Sequence, residues 1–177
     1  MPLPTHEPEI TVGDNVSAPI TRLTVASPIG ALTLFEQSGA ITDLIWAAGT
    51  RIRKAHSTPL LAEAAAQLDG YFSGGLQVFD LPLAPLGTAY RQRVWQALSR
   101  IPYGITETYG SLAKKITSSP RAVGGACGAN PIPILIPCHR VLGAGGSLHG
   151  YSGRGGLTTK ARLLALEGAL EGPPPSG

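Results

Sequence analysis

A cysteine, a histidine and an arginine follow one another in the C-terminal half of the sequence, at Cys138, His139 and Arg140. A thiol attacks as the thiolate, so its usual pKa of about 8.5 must fall or a neighbouring base must take its proton. An adjacent imidazole and a cationic neighbour serve these purposes. Three prolines interrupt the apolar residues just before the cysteine and exclude a regular helix or a central strand there. The pattern predicts a reactive thiol in a rigid, buried bend.

The same residues also have structural interpretations, which the pattern alone leaves open. A single cysteine is most often a small buried hydrophobe, and a single histidine is most often a satisfied structural group. Cys127 is the other cysteine, and we interpret it as structural. Two cysteines exclude a disulfide scaffold and a four-cysteine zinc site, and they fit a reducing compartment.

The elements of the N-terminal half predict a small α+β unit. Short apolar segments with partial alternation, the first two separated by the turn Ser27-Pro28-Ile29-Gly30, predict an antiparallel hairpin and meander. An alanine-rich stretch that ends at Ser73-Gly74-Gly75 predicts a helix. The predicted extended segments cover residues 20–26, 31–36, 40–47 and 78–85, and the helix covers residues 59–72.

The C-terminal half predicts short helices. Thr88 can cap a helix that runs to Arg100, residues 111–116 form a second helix, and Ser119 with Pro120 begins a third that ends near Ala129. Two short helices joined by a tight turn are typical of a helix-turn-helix unit. An amphipathic stretch over residues 158–169 predicts a last helix.

The helix after Ser119 contains three glycines, at Gly124, Gly125 and Gly128. Each glycine costs about 1 kcal/mol relative to alanine in a helix interior, so their presence indicates close approach to a neighbour. A DNA minor groove and a neighbouring helix of the same chain are both compatible with this pattern.

Charge is distributed unevenly along the chain. Residues 1–87 carry four basic and eight acidic side chains, whereas residues 88–165 carry ten basic side chains and one acid, Glu107. The basic half favours a polyanionic partner, although a solvated positive surface without a partner explains the charge equally well.

Composition limits the class of protein and its organisation. Apolar residues make up 43% of the 177 residues, which allows a packed core, and no apolar run approaches the ~18–20 residues of a membrane span. The first 19 residues lack Lys and Arg, unlike a secretory signal, so we expect a cytoplasmic protein, associated with the nucleoid if the source is bacterial. We predict a disordered tail over residues 1–19, domains over 20–86 and 87–170, and a flexible tail over 171–177.

Several motifs together resemble the O6-alkylguanine-DNA alkyltransferases, also called methylated-DNA–protein-cysteine methyltransferases. The strongest are Arg121–Gly124, Asn130–Pro133 and Ile136–Val141. The resemblance extends from Arg91 to Gly168, and in the N-terminal half only the pattern matches. Further matching motifs are Val94-Trp95, Ile101–Gly104, Thr108-Tyr109, Gly150–Gly153 and Leu163–Gly168.

The resemblance implies an α+β fold with a small N-terminal antiparallel-sheet domain that is ribonuclease H-like. A C-terminal helix-turn-helix domain, winged-helix-like, would follow. It implies a DNA-repair methyltransferase that moves the alkyl group of O6-alkylguanine irreversibly to its own cysteine after nucleotide flipping, with no cofactor and no metal. Duplex DNA that contains the lesion is the implied partner, and we expect a monomer without an obligate protein partner.

The resemblance also implies roles for individual residues. Cys138 would be the alkyl acceptor, His139 its base through a water, Glu167 the carboxylate that orients the imidazole, and Asn130 the residue that orders the active-site turn. Arg121 would fill the gap that the extruded nucleotide leaves, and Tyr109 would help rotate that nucleotide out. The other implied DNA- or substrate-binding residues are Ala122, Arg140, Val141, Tyr151 and Ser152, with the carbonyls of Cys138 and Val141 accepting from the guanine amine.

Two other classes of function compete with alkyl transfer. One is a helix-turn-helix module that senses alkylated DNA without chemistry, and the other is a Cys-His hydrolase. Relatives of the family that lack catalysis also lack the acceptor cysteine, so the presence of Cys138 argues against the sensor.

Overall fold

The computed structural model describes residues 18–47, 57–151 and 153–170. Residues 1–17 of the predicted N-terminal tail and the predicted tail over 171–177 lie outside the described residues. The division into two domains at residue 87 stays a prediction. None of the helices in the described ranges is long and apolar enough to cross a membrane.

The N-terminal half forms a three-stranded antiparallel sheet with one helix packed on it. Thr58 caps the helix by accepting a hydrogen bond from Leu61 N at 3.1 Å, and proline stands at the first helical position. The strands and the helix are β1 (Thr21–Val25), β2 (Leu32–Gln37), β3 (Ala40–Trp46) and α1 (Pro59–Phe72).

Residues 78–85 were predicted as an extended segment, and the structure gives them one isolated bridge between Leu83 and Ile41. Ile41 N donates to Pro82 O, and Ala84 N donates to Ile41 O, both at 2.8 Å. Pro82 and Pro85 have no N–H to donate, so the pairing does not extend into a ladder.

The C-terminal half contains four helices and one short parallel strand pair among the described residues. Thr88, Thr108 and Ser119 each cap the helix that follows them. The elements are α2 (Ala89–Leu98), β4 (Glu107–Thr108), α3 (Tyr109–Lys115), α4 (Pro120–Gly128), β5 (Val141–Leu142) and α5 (Gly156–Leu166). The predicted helix-turn-helix is α3 and α4, which pack on each other.

The core runs through both halves of the molecule. Leu32, Leu34 and Leu61 are fully buried in the first half, and Val94 and Leu98 are fully buried in the second. Burial of each such side chain stabilises the fold by about 1.5–3 kcal/mol. Trp95 is also buried.

Trp46 is half-buried at the edge of the sheet and packs against the core. Its indole N–H donates to Ile29 O at 3.1 Å, and its ring meets Tyr151 edge-on at 6.2 Å.

Contacts between the two halves place the first half beside the cysteine segment. Leu44 N in β3 donates to Pro131 O at 2.9 Å, and the Tyr71 hydroxyl donates to Glu167 Oε1 at 2.7 Å. The sheet and α1 therefore support the back of the C-terminal half.

Candidate functional site

The cysteine lies in a bend that Asn130 holds together. The Asn130 side chain accepts from Ile132 N at 3.0 Å and donates to Ile136 O at 2.9 Å and to Cys138 Sγ at 3.3 Å. Ile134, between these anchors, has a φ of 75°, which is costly for a β-branched residue. The buried amide contacts of Asn130 maintain this strained turn and fix the sulfur.

Cys138 lines a cavity of about 750 Å³ beside the helix-turn-helix. Several glycines form part of its wall, where the absence of side chains leaves space. Other residues along it are Tyr109, Arg121, Cys127, His149 and Tyr151. The thiol is 3% exposed, so this cavity is the route by which a substrate can reach it.

His139, which follows Cys138 in sequence, forms a fully buried pair with Glu167. His139 Nε2 lies 2.7 Å from Glu167 Oε1. Burial alone would raise the pKa of Glu167, but hydrogen bonds from His139 and Arg140 outweigh it and lower the pKa to about 2. The carboxylate is therefore an acceptor, and the imidazole carries its hydrogen on Nε2.

The remaining ring nitrogen, His139 Nδ1, has no hydrogen-bond partner among the described residues. Burial lowers the pKa of His139, although the Glu167 hydrogen bond opposes this. A neutral imidazole with its lone pair on Nδ1 can accept a proton. Burial raises the pKa of Cys138, and the Asn130 hydrogen bond and the Lys160 charge offset part of that rise. The resting thiol is protonated, so a base of this kind is what it needs.

Arg140 lies elsewhere than predicted. Its guanidinium is buried, where it donates to both Glu167 oxygens at 2.9 and 3.0 Å and to Ile101 O at 2.6 Å. The single 3₁₀ turn Cys138–Arg140 directs this side chain inward. The prediction that Arg140 contacts DNA is corrected, because the side chain holds Glu167 and does not line the cavity.

The turn after α2 is built to complete the Glu167 site. Gly104 has a φ of +76°, and this conformation lets its N–H donate to Glu167 Oε2 at 3.2 Å. Tyr103 donates its hydroxyl to Leu166 O at 3.0 Å. The motif Ile101–Gly104 therefore holds the carboxylate through Oε2, whereas the His139 ring contacts Oε1.

Sequence reasoning missed Lys160, which is fully buried in α5. Its Nζ donates to Val141 O at 2.6 Å and to His149 O at 2.8 Å, and it lies 5.6 Å from the centre of the Tyr109 ring. Burial lowers the pKa of Lys160, and the cysteine charges oppose this. A lysine on the apolar stripe with Leu163 and Leu164 was the signal that could have found it.

The helix-turn-helix presents the other predicted residues. Arg121 and Ala122 are exposed in the first turn of α4, and Tyr109 is half-buried at the start of α3. Burial raises the pKa of Tyr109 to about 12, so its hydroxyl remains protonated. An added Cβ at Gly125 or Gly128 would meet nothing within 4 Å, so packing against the described part of the chain does not explain these two glycines.

Val141 is buried in β5, and its carbonyl keeps one lone pair beyond the bond from Lys160. The Tyr151 hydroxyl is buried at the cavity without a partner among the described residues, while Ser152 lies outside them. Cys127 is buried in α4 beside the cavity, and burial followed by the Cys138 charge raises its pKa to about 12. No cluster of three metal-ligating side chains occurs in the described ranges.

Acid should destabilise the fold, because His139 and Glu167 are buried and bind protons more weakly in the folded chain than in the unfolded chain. His139 has a lowered pKa relative to 6.5, and Glu167 has one lowered from 4.5 to about 2. Below each ordinary value the unfolded chain binds more protons, so stability falls with pH. We expect the urea concentration at the unfolding midpoint to begin to decrease as the pH is lowered below about 6.5. It should decrease further as the pH is lowered below about 4.5. A midpoint that stays constant from neutral pH to pH 4.5 would contradict the assigned charge states.

The fold and the cavity define a class: a helix-turn-helix protein with a thiol beside a histidine–glutamate pair. Family models agree with this class. The 6-O-methylguanine DNA methyltransferase ribonuclease-like domain matches residues 20–85, and the DNA binding domain of the same family matches residues 89–169. The chain belongs to the 6-O-methylguanine DNA methyltransferase family, and the predicted α+β fold class is confirmed.

Individual relatives support the same assignment. The methylated-DNA–protein-cysteine methyltransferase of Mycobacterium tuberculosis H37Rv is 46% identical over 150 residues, which cover 81% of this chain and 90% of the relative. The constitutive Bacillus subtilis protein is 41% identical over 154 residues, covering 81% and 93%. The crystal structure of M. tuberculosis OGT in complex with DNA has a TM-score of 0.72 and 45% identity, and the match covers 82% of this chain and 92% of that one.

Proposed function

We propose that this protein repairs O6-alkylguanine in duplex DNA by moving the alkyl group to Cys138 Sγ in one irreversible turnover. The observation that carries the proposal is that Cys138 lines a cavity beside the helix-turn-helix, and that the next residue, His139, forms a buried pair with Glu167. A nucleophile, a base and a group that orients the base are the parts that nucleophilic catalysis needs.

The proposed reaction begins with proton transfer. His139 Nδ1 accepts the Cys138 proton through a water, and the charge that develops on the imidazole is stabilised by Glu167. The thiolate then attacks the saturated alkyl carbon, so that an S–C bond forms as the C–O6 bond breaks. The electron pair stays with guanine, which takes up a proton from the site. The thioether is stable, so each molecule acts once.

The lesion lies at the base-pairing edge of guanine, so the nucleotide must leave the duplex to reach the cavity. Flipping costs a few kcal/mol. Arg121 enters the vacated stack from the exposed start of α4, and Tyr109 helps turn the nucleotide. Ala122, Gly125 and Gly128 supply a smooth outer face for the minor groove, as their exposure supports. The flipped base is bound by the carbonyl oxygens of Cys138 and Val141 and by Tyr151 and Ser152.

We also propose that the protein acts in the cytoplasm as a monomer and needs no cofactor, metal or obligate protein partner. Every group that the proposed reaction requires lies on one chain. Sedimentation of the protein with and without duplex DNA tests the stoichiometry, and a mass of two copies without DNA would contradict the monomer.

The reaction is tested by nucleoside analysis of a duplex with one O6-methylguanine after incubation with the protein. We expect the lesion to be replaced by guanine until one lesion per protein molecule is repaired. DNA that is bound yet chemically unchanged would contradict the proposal and favour the sensor without chemistry. Repair of many lesions per molecule would contradict the self-inactivating step.

Arg121→Ala should slow repair in duplex DNA while leaving the reaction with free O6-benzylguanine within about twofold of wild type. The free base needs no flipping, whereas the arginine offsets part of a flipping cost of a few kcal/mol, and 1.4 kcal/mol is a factor of about ten. We therefore expect the rate of repair to fall by about tenfold or more in duplex DNA only. Single-turnover kinetics on both substrates measure this, and equal slowing on both would contradict the role.

A further inference from the structure

A tyrosine of the N-terminal half reaches the Glu167 carboxylate. Tyr71, in the last turn of α1, is fully buried, and its hydroxyl donates to Glu167 Oε1 at 2.7 Å. The other donors to this carboxylate among the described residues are Gly104, His139 and Arg140, which all belong to the C-terminal half.

The aromatic ring that carries this hydroxyl is held in place on several sides. Its centroid lies 5.2 Å from that of Phe79 and 5.3 Å from that of Phe72, and Tyr103 meets it edge-on at 6.1 Å. Such packing allows the ring little freedom. The direction of the O–H donor is therefore fixed by the fold of the N-terminal half.

Tyr71 shares one oxygen with the imidazole. Glu167 Oε1 accepts from Tyr71 Oη, from His139 Nε2 and from Arg140 Nη2, all within 3.0 Å. Burial and the neighbouring carboxylate raise the pKa of Tyr71, so it is a neutral donor throughout the working range. A donor on the same oxygen draws off negative charge that would otherwise act on the imidazole ring.

We propose that Tyr71 is a positioning residue for alkyl transfer, an inference that rests on the proposed function. Its hydroxyl fixes the Glu167 carboxylate against the His139 ring and limits how strongly that carboxylate stabilises the imidazolium. The ribonuclease-like domain thereby acts on the base that deprotonates Cys138, and α1 is the element that carries the effect.

Several charged and titratable groups surround the His139–Glu167 pair, and they determine what loss of the Tyr71 hydroxyl would change. Glu167 is faced by Tyr71 from α1, by Tyr103 from the turn after α2, and by His139 and Arg140 from the active-site segment. The Lys160 charge also acts on His139. Loss of the Tyr71 hydroxyl leaves the cations in place and removes one neutral donor, so the carboxylate attracts the imidazolium proton more strongly.

Tyr71→Phe tests the inference, with Tyr90→Phe as the matched control, because the Tyr90 hydroxyl bonds to Ser118 Oγ at 2.8 Å and does not contact the carboxylate. The readout is the rate of transfer from free O6-benzylguanine, normalised to the total alkyl uptake, over a series of pH values. We expect Y71F to react roughly tenfold more slowly at neutral pH, because a hydrogen bond to a charged group is lost. The acidic limb of its pH–rate profile, where the rate falls at low pH, should lie at higher pH than that of wild type. Y90F should keep the wild-type acidic limb and react at a rate within about twofold of wild type.

A Y71F pH profile equal to that of wild type or of Y90F would overturn the inference. If Y71F does not fold, 3-fluorotyrosine at position 71 replaces it, since a stronger donor on the same ring should move the acidic limb to lower pH. An unmoved limb would then overturn the inference. Wild-type protein that takes up no alkyl group contradicts the proposed function itself, so the two failures are distinguishable.

Discussion

Cys138→Ser is expected to abolish alkyl uptake while DNA binding stays within about twofold of wild type. A serine hydroxyl is a far weaker nucleophile than a thiolate at neutral pH, and the neighbouring base does not compensate for this. The DNA-binding residues on α3 and α4 are unaffected, because the substitution changes one buried atom in the cavity wall. Mass spectrometry after incubation with methylated duplex measures uptake, and fluorescence anisotropy measures binding.

The matched control for this variant is Cys127→Ser, since both cysteines line the same cavity. Burial raises the pKa of Cys127 to about 12, and the His139–Glu167 pair adjoins Cys138 rather than Cys127 in sequence. We expect C127S to take up one alkyl group as wild type does. Methyl uptake by C138S, or its loss in C127S with the fold intact, would contradict the assignment of the acceptor.

Glu167→Gln is expected to destabilise the fold by about 3–5 kcal/mol, the usual cost of leaving one partner of a buried ion pair uncompensated. Arg140 would keep its charge with both carboxylate contacts weakened, and the new amide N–H groups would face the donors of Tyr71 or Gly104. Transfer should slow as well, because the imidazolium loses its counter-charge. Urea denaturation and single-turnover kinetics measure the two effects.

Glu107→Gln provides the comparison for this loss. Glu107 pairs with Lys115, whose side chain is 60% exposed, so solvent screens the interaction. Exposed pairs contribute at most about 1 kcal/mol, and we expect E107Q to lie within that range. If E167Q were no less stable than E107Q, the buried carboxylate would not hold the site together in the way described.

Local sequence signals were sufficient to predict where the helices lie. The helix over residues 59–72 was predicted with the bounds that α1 has, because Thr58-Pro59 and Ser73-Gly74 mark its ends by capping and by glycine. Ser119-Pro120 marked the start of α4 in the same way. The start of α3 was placed two residues late, at Ser111, because the cap at Thr108 was not recognised.

The candidate site was predicted where its residues share one motif. Asn130, Cys138 and His139 lie within ten residues, and proline restriction indicates their geometry. The direction of Arg140 was not predictable, since one 3₁₀ turn decides whether a side chain points to solvent or to the core. Tyr71 contacts Glu167 across 96 positions of sequence, and such a contact leaves no local signal.

In the proposed reaction, Cys138 keeps the alkyl carbon that it takes from guanine. The most direct measurement is peptide mapping by mass spectrometry of wild-type protein after reaction with excess O6-methylguanine duplex. No Lys or Arg separates Cys127 from Cys138, so one tryptic peptide holds both and its fragment ions assign the modified residue. We expect fragments that contain Cys138 to gain the mass of one methylene group, once per molecule, and fragments that contain only Cys127 to be unchanged. Repaired DNA with an unmodified Cys138 peptide, or a methyl group on another residue, would contradict the proposed reaction.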